Sequence, residues 1–199
     1  QVILAPLDQD ETTDLVSALL GGRPSADLSA ALYATSEGNP LFVGELVRML
    51  VHEGVLKRDG ERWTAGAELA ALAMPPTIHA LLAARIERLQ PEERTVLERA
   101  SVIGRSFSRT AVEELLSRDV GDLDARLEAL RRAELIESDT GWFLSEPVLR
   151  FHHVLIRDAA YRRILKGTRA ELHARFADWV EARVGDSIEH DETIGWHLE

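Results

Sequence analysis

The sequence predicts a mainly α-helical protein with two small β elements. Apolar residues recur at helical spacing through most of the chain, as in Leu15, Val16, Leu19 and Leu20, or Ile78, Leu81, Leu82, Ile86 and Leu89. Turn-forming clusters such as Gly21-Gly22, Glu37-Gly38-Asn39-Pro40 and Pro75-Pro76 divide those runs. Two short regions, around 55–63 and 135–151, read instead as strands. With 199 residues and 45% hydrophobic content, the chain can build one large core or two small ones.

Taken in order, Leu4, Pro6 and Leu7 end a strand or a linker, and Asp10-Glu11-Thr12-Thr13 can cap a first helix that Gly21-Gly22 stops. A second helix runs from about Ser25 to Ser36, burying Leu28, Ala31 and Leu32. Pro40 suits the first turn of a third, with Leu41, Phe42, Leu46, Val47 and Leu50 on one face and Gly54 at its end. Val55–Arg58 and Glu61–Trp63 flank Asp59-Gly60, a strong hairpin signal. Residues 64–75 form an alanine-rich connection, and Pro75-Pro76 marks a boundary.

A helix from Thr77 closes at Gln90-Pro91. Three more follow, over about Pro91–Ile103, Ser108–Ser117 and Gly121–Ala133. Leu135-Ile136-Glu137, a turn at Ser138-Asp139-Thr140-Gly141, Trp142-Phe143-Leu144 and Val148–Phe151 complete a small hairpin region. Three helices followed by a small hairpin is the winged-helix order. From His153 the chain is helical again, with a last helix starting near Glu189. The expected domains are 1–75, helical with a short hairpin; 76–152, winged helix with a hairpin wing; and 153–199, C-terminal helices.

Composition narrows the chemistry. With no cysteine there are no disulfides, thiolate metal sites or cysteine nucleophiles, which fits a cytoplasmic protein. No run of about 18 apolar residues could span a bilayer, and nothing near Gln1 resembles a signal peptide. Because the chain opens on Gln1, it is expected to be a fragment of a longer protein. A net charge of −11 repels polyanions, so nucleic-acid binding would need a strong local basic face. The helix that would read DNA opens with Gly121-Asp122-Leu123-Asp124, and Glu128 and Glu134 interleave with Arg126, Arg131 and Arg132, which argues against direct contact. The sequence has no Gly-x-x-x-x-Gly-Lys-[Ser/Thr] loop and no nucleophile elbow. The chain alone should not hydrolyse nucleotide.

Two stretches hold candidate functional residues. Gly38-Asn39-Pro40 reads as a helix-to-helix turn, with glycine at positive φ, asparagine capping and proline starting the next helix; the same turn could offer its proline and backbone to an adenine ring. In Phe151-His152-His153-Val154-Leu155-Ile156-Arg157-Asp158-Ala159-Ala160-Tyr161, a strand delivers two histidines to a helix start. They would point to opposite sides, which disfavours joint metal coordination. A buried structural histidine and a histidine facing a phosphate at the helix N-terminus are both open readings. Arg157 and Asp158, flanked by apolar residues, suggest a partly buried ion pair or an interface. Tyr161 and His173 should pack with their polar tips satisfied.

Five ordered segments resemble a known family: Leu4–Leu7, Glu37–Leu46, Ala84–Leu89, Ala100–Phe107, and Phe151-x-His153-x-Leu155 through Tyr161. Together they resemble the AAA-like signal-transduction ATPases with numerous domains, the STAND class, in the bacterial branch of large LuxR-type regulators and cyclase-associated proteins. The resemblance implies a helical lid followed by a winged helix, with a nucleotide-binding domain of the same chain upstream and helical repeats or an effector domain downstream. It implies that Gly38, Asn39 and Pro40 touch the adenine side of ATP or ADP in the parent protein, and that His153 reads the ADP phosphate in a closed state. Val154 stands where the family has aspartate, so only the histidine carries over. The isolated fragment is expected to hold no nucleotide. A DNA-binding winged helix and an interaction scaffold with vestigial switch motifs are the rival readings.

Overall fold

The computed structural model describes residues 5–65, 74–116, 120–143 and 146–184. Among these the chain is mainly helical, with nine helices and two three-stranded sheets. It divides into two compact units between Leu82 and Ala83. No helix among the described residues is long and apolar enough to cross a membrane.

The first unit comprises α1 (Gln9–Leu20), β1 (Arg23–Pro24), α2 (Ala26–Ser36), α3 (Pro40–His52), β2 (Leu56–Asp59) and β3 (Arg62–Ala65). The first helix begins earlier than the sequence suggests. Asp8 is its N-cap: the Asp8 carboxylate accepts from the Glu11 amide at 2.8 Å, while Glu11 accepts from the Asp8 amide at 2.9 Å. This reciprocal pair satisfies two otherwise orphaned donors, which a start at Asp10 would not do. The core gathers Val16, Leu28, Leu32, Phe42, Leu46 and Leu50, and the start of α4 (Ile78–Glu87) packs Ile78 and Leu81 against it. Ala31 is only half-buried, and Ser29 and Ser36 take buried positions on α2 instead.

Asp59-Gly60 does turn the hairpin, with Asp59 opposite Arg62 and Gly60 at φ +61°. A third strand was not legible. β1 pairs parallel with β3 through Arg23–Arg62 and Pro24–Trp63, giving the order β1-β3-β2. The Trp63 indole N–H donates to the Leu20 carbonyl at 3.0 Å. A Cβ at Gly22 would lie 2.8 Å from the Glu61 carbonyl oxygen, so glycine lets the hairpin close on the α1–α2 connection.

The second unit continues with α5 (Pro91–Ile103), β4 (Ser106–Ser108), α6 (Arg109–Leu115), α7 (Leu123–Arg132), β5 (Ile136–Phe143), β6 (Glu146–Phe151), α8 (Val154–Arg163) and α9 (Lys166–Val184). Its sheet is antiparallel in the order β4-β6-β5. Phe107 and Phe151, both buried, meet at 5.5 Å between ring centroids and fasten β4 to β6. Ser138-Asp139-Thr140-Gly141 is not where the chain reverses. It lies within β5, where pairing with β6 shifts register between Ser138 and Trp142 and then resumes through Phe143–Glu146. Asp139 explains the misreading: its carboxylate accepts from the Thr140 amide at 2.8 Å, a turn-like contact inside a strand, and from Ser106 on β4 at 3.1 Å.

Arginine side chains close helix C-termini throughout this unit. Arg94 donates to the Glu87 and Leu89 carbonyls at the end of α4, at 2.9 and 3.1 Å. Arg169 reaches the Ile164 carbonyl at the end of α8 at 2.8 Å, and Arg175 and Arg85 reach Glu114 and Ala133 beside the ends of α6 and α7. Arg163 joins Glu87 to Glu98 across α4, α5 and α8. Carbonyls in a last helical turn lack intrahelical partners and carry negative partial charge, so a multidentate cation suits them. Expectations for Leu4, for most of the alanine-rich connection and for the helix near Glu189 lie outside the described residues.

Candidate functional site

Gly38-Asn39-Pro40 forms a tight turn between α2 and α3. Glu37 and Gly38 both take positive φ, +50° and +75°. The Asn39 side-chain oxygen accepts from the Phe42 amide at 3.1 Å, and Pro40 occupies the first helical turn, where its missing N–H costs nothing. A Cβ on Gly38 would overlap the Leu7 carbonyl, and the Leu7 amide donates to the Gly38 carbonyl at 2.9 Å. Gly38 is therefore buried under the incoming chain, whereas Asn39 and Pro40 are exposed. Leu7 is the residue of this turn that sequence reasoning did not connect to it.

The two histidines diverge, each with its own account. His152 is exposed and approaches the Glu137 carboxylate on β5, Nδ1 to oxygen 3.3 Å. Glu137 also accepts from Arg150 at 2.7 Å, and that hydrogen bond is the main cause holding its carboxyl below the usual range. His153 is half-buried and caps α8: its Nδ1 accepts from the Leu155 amide at 3.1 Å. An accepting Nδ1 fixes the neutral tautomer with its proton on Nε2, so the ring presents a donor on its far edge. Among the described residues no group of three or more His, Cys, Asp or Glu gathers as a metal site.

Arg157 and Asp158 lie side by side on α8, guanidinium to carboxylate 3.1 Å. Arg157 also donates through Nε to the Ser101 carbonyl near the end of α5, at 2.9 Å. Its guanidinium stands 4.9 Å from the Tyr161 ring centroid, and Arg169 stands 4.7 Å from the same ring. The Tyr161 hydroxyl meets His173 Nε2 at 2.8 Å, so both polar tips are satisfied as the sequence suggests. Burial foremost, then the charges of Arg157 and Arg169, hold the His173 imidazole below its ordinary value. Arg157 thus locks α8 onto α5 within the unit. Arg169 completes the cluster, and nothing in its spacing announced it.

On α7, Asp122 caps the helix by accepting from the Asp124 and Ala125 amides at 3.0 and 3.2 Å. Asp124 pairs with Arg109 at 2.8 Å, and Arg131 with Glu128 at 3.1 Å. The first turn of this helix therefore presents carboxylates, and several of its charges are spent on neighbours.

Three outcomes follow for stability. Gly38→Ala should lower the unfolding free energy by at least about 2 kcal/mol, through positive φ and the overlap with Leu7, while Gly60→Ala, with open space around it, should cost about 1 kcal/mol; urea titrations compare the two. His153→Ala should cost about 1 kcal/mol for the lost cap, and His153→Asn, which can still cap, less than half that. For His173 the folded pKa lies below the unfolded value near 6.5. Its contribution to stability is therefore full above that value and is lost as pH falls through the folded pKa. The unfolding midpoint of wild type should drop more steeply than that of His173→Gln between neutral pH and about pH 5.

No family model, curated protein or solved structure matches this chain.

Proposed function

We propose that this chain is the helical lid and winged-helix portion of a STAND-type nucleotide switch, a regulatory module with no catalytic chemistry of its own. The observation that carries the reading is the placement of His153. It sits at a strand-to-helix junction, caps α8 through Nδ1, and so carries its ring proton on Nε2 at a helix N-terminus, where the helix dipole favours an anion. A phosphate reader needs that combination of donor and field.

Two further features support it. In the second unit the elements run α5, β4, α6, α7, β5, β6, with β4 joined to β6 beside a closing hairpin, the order of a winged helix. In the first unit Asn39 and Pro40 are the exposed residues of a rigid turn, able to meet the adenine side of ATP or ADP held by a nucleotide-binding domain elsewhere in the parent protein. Gly38 would contribute by shaping that turn, since its missing side chain makes room for Leu7. The nucleotide would bias two arrangements of the parent protein by binding them unequally, and an output domain would read the difference. Direct DNA reading by α7 is disfavoured by Asp122 and Asp124 in its opening turn.

The test is nucleotide content and exchange in the full-length parent protein, measured by denaturing it and chromatographing what it releases. Wild type should retain ADP. Both His153→Ala and His153→Asn should exchange it at least about tenfold faster, the asparagine variant because it keeps a cap without the imidazole donor. A wild-type protein without nucleotide, or an asparagine variant that exchanges like wild type, would overturn the reading.

A further inference from the structure

In the first unit every cationic side chain except Arg48 lies on its sheet. From residue 1 to 82 the lysines and arginines are Arg23, Arg48, Lys57, Arg58 and Arg62. Arg48 pairs with the buried carboxylate of Glu45 at 3.0 Å. All the others lie on β1, β2 and β3, whereas α1 and the residue that caps it carry Asp8, Asp10, Glu11 and Asp14.

Strand register sorts these cations onto two faces. Pro24, Trp63 and Arg58 are register partners, and Trp63 packs toward the core with Leu56 and Ala65. Arg58 belongs to this face, its guanidinium 5.8 Å from the Trp63 ring centroid and its Nε donating to the Gly60 carbonyl. The opposite face carries Arg23, Arg62 and Lys57, all exposed, with Asp59 opposite Arg62 and Thr64 opposite Lys57. Arg23 and Arg62 are directly opposite each other across the parallel pair. Like charges in that relation repel, and the Asp59 opposite Arg62 offsets the repulsion only in part.

We propose that this solvent face is a docking surface for an acidic segment of a partner protein, with carboxylates held between Arg23 and Arg62 and Lys57 at the flank. Adjacent strands lie about 4.8 Å apart, so one carboxylate can be shared by two guanidiniums whose planar donor forks suit it. An acidic peptide fits better than a nucleic acid. The chain's net charge of −11 repels a continuous polyanion, whereas a short segment brings its few charges only to the patch. The inference is independent of the nucleotide reading.

The experiment is fluorescence anisotropy of a fluorescein-labelled peptide of alternating Glu and Ser at low ionic strength. Arg23→Glu/Arg62→Glu should weaken binding by about tenfold or more, and Arg23→Gln/Arg62→Gln, which only neutralises the pair, by a smaller but measurable factor. The charge-matched control Arg132→Glu/Arg162→Glu, at exposed positions of the second unit, should stay within about twofold of wild type. Absence of binding to wild type, undiminished binding by both Arg23/Arg62 variants, or equal weakening in the control overturns the proposal. So does tighter binding of a single-stranded oligonucleotide of equal charge, which would assign the face to nucleic acid.

Discussion

The hydrogen bond that an amide of a first helical turn donates to a capping side chain is the interaction on which this structure rests. Its helices are short, and each leaves several N–H groups without intrahelical partners. Asp8, Ser25, Asn39, Ser108, Asp122 and His153 each accept from such an amide. These caps decide where each helix begins, and so the direction in which the chain enters it. Both candidate functional stretches are members of this set. Asn39 turns α2 into α3, and His153 turns β6 into α8. Both positions are fixed by hydrogen bonds that the fold itself requires.

In the second unit the opposite helix ends are closed by arginine. Arg94, Arg157 and Arg169 donate to carbonyls at or near the ends of α4, α5 and α8. The chain has Lys57 and Lys166 as its lysines, and arginine elsewhere. A guanidinium offers five donors in a plane and loses less hydration than an ammonium when partly buried. The bias toward arginine thus has a structural use here: one side chain can satisfy a carbonyl, pair with a carboxylate and lie over an aromatic ring. Arg157 does all three, with Ser101, Asp158 and Tyr161.

Two carboxylates enclosed by this fold each meet an arginine. Glu45 is almost fully enclosed within α3, yet it meets Arg48 one turn on. Glu98 is raised above its usual value, mainly by burial, while Arg163, Arg99 and Arg94 oppose the shift. Such charges would be costly alone and are tolerated because a cation lies within reach. The cations of the β1-β3-β2 sheet face, Arg23, Lys57 and Arg62, are instead exposed to water, with Asp59 opposite Arg62 in register.

The sequence by itself determined the described helices, the cap at Asn39, the Asp59-Gly60 hairpin, and the arrival of His152 and His153 at a helix start. Each of these is encoded within a few residues, by apolar spacing, by a side chain that bonds its own turn, or by a glycine that accepts positive φ. The tertiary structure alone decided the rest. β1 and β4 are two and three residues long, too short to hold a strand conformation without β3 and β6 beside them. Ser138–Gly141 has the chemistry of a turn but forms an irregularity inside β5, because pairing with β6 resumes beyond it at Trp142 and Phe143. Gly38 is glycine on account of Leu7, 31 positions before it, and Arg157 finds Ser101 from 56 positions away. A local sequence specifies local geometry through short-range sterics and hydrogen bonds. Contacts between distant residues arise only when burial brings them together, so the partners of Gly38 and Arg157 could not be read in advance.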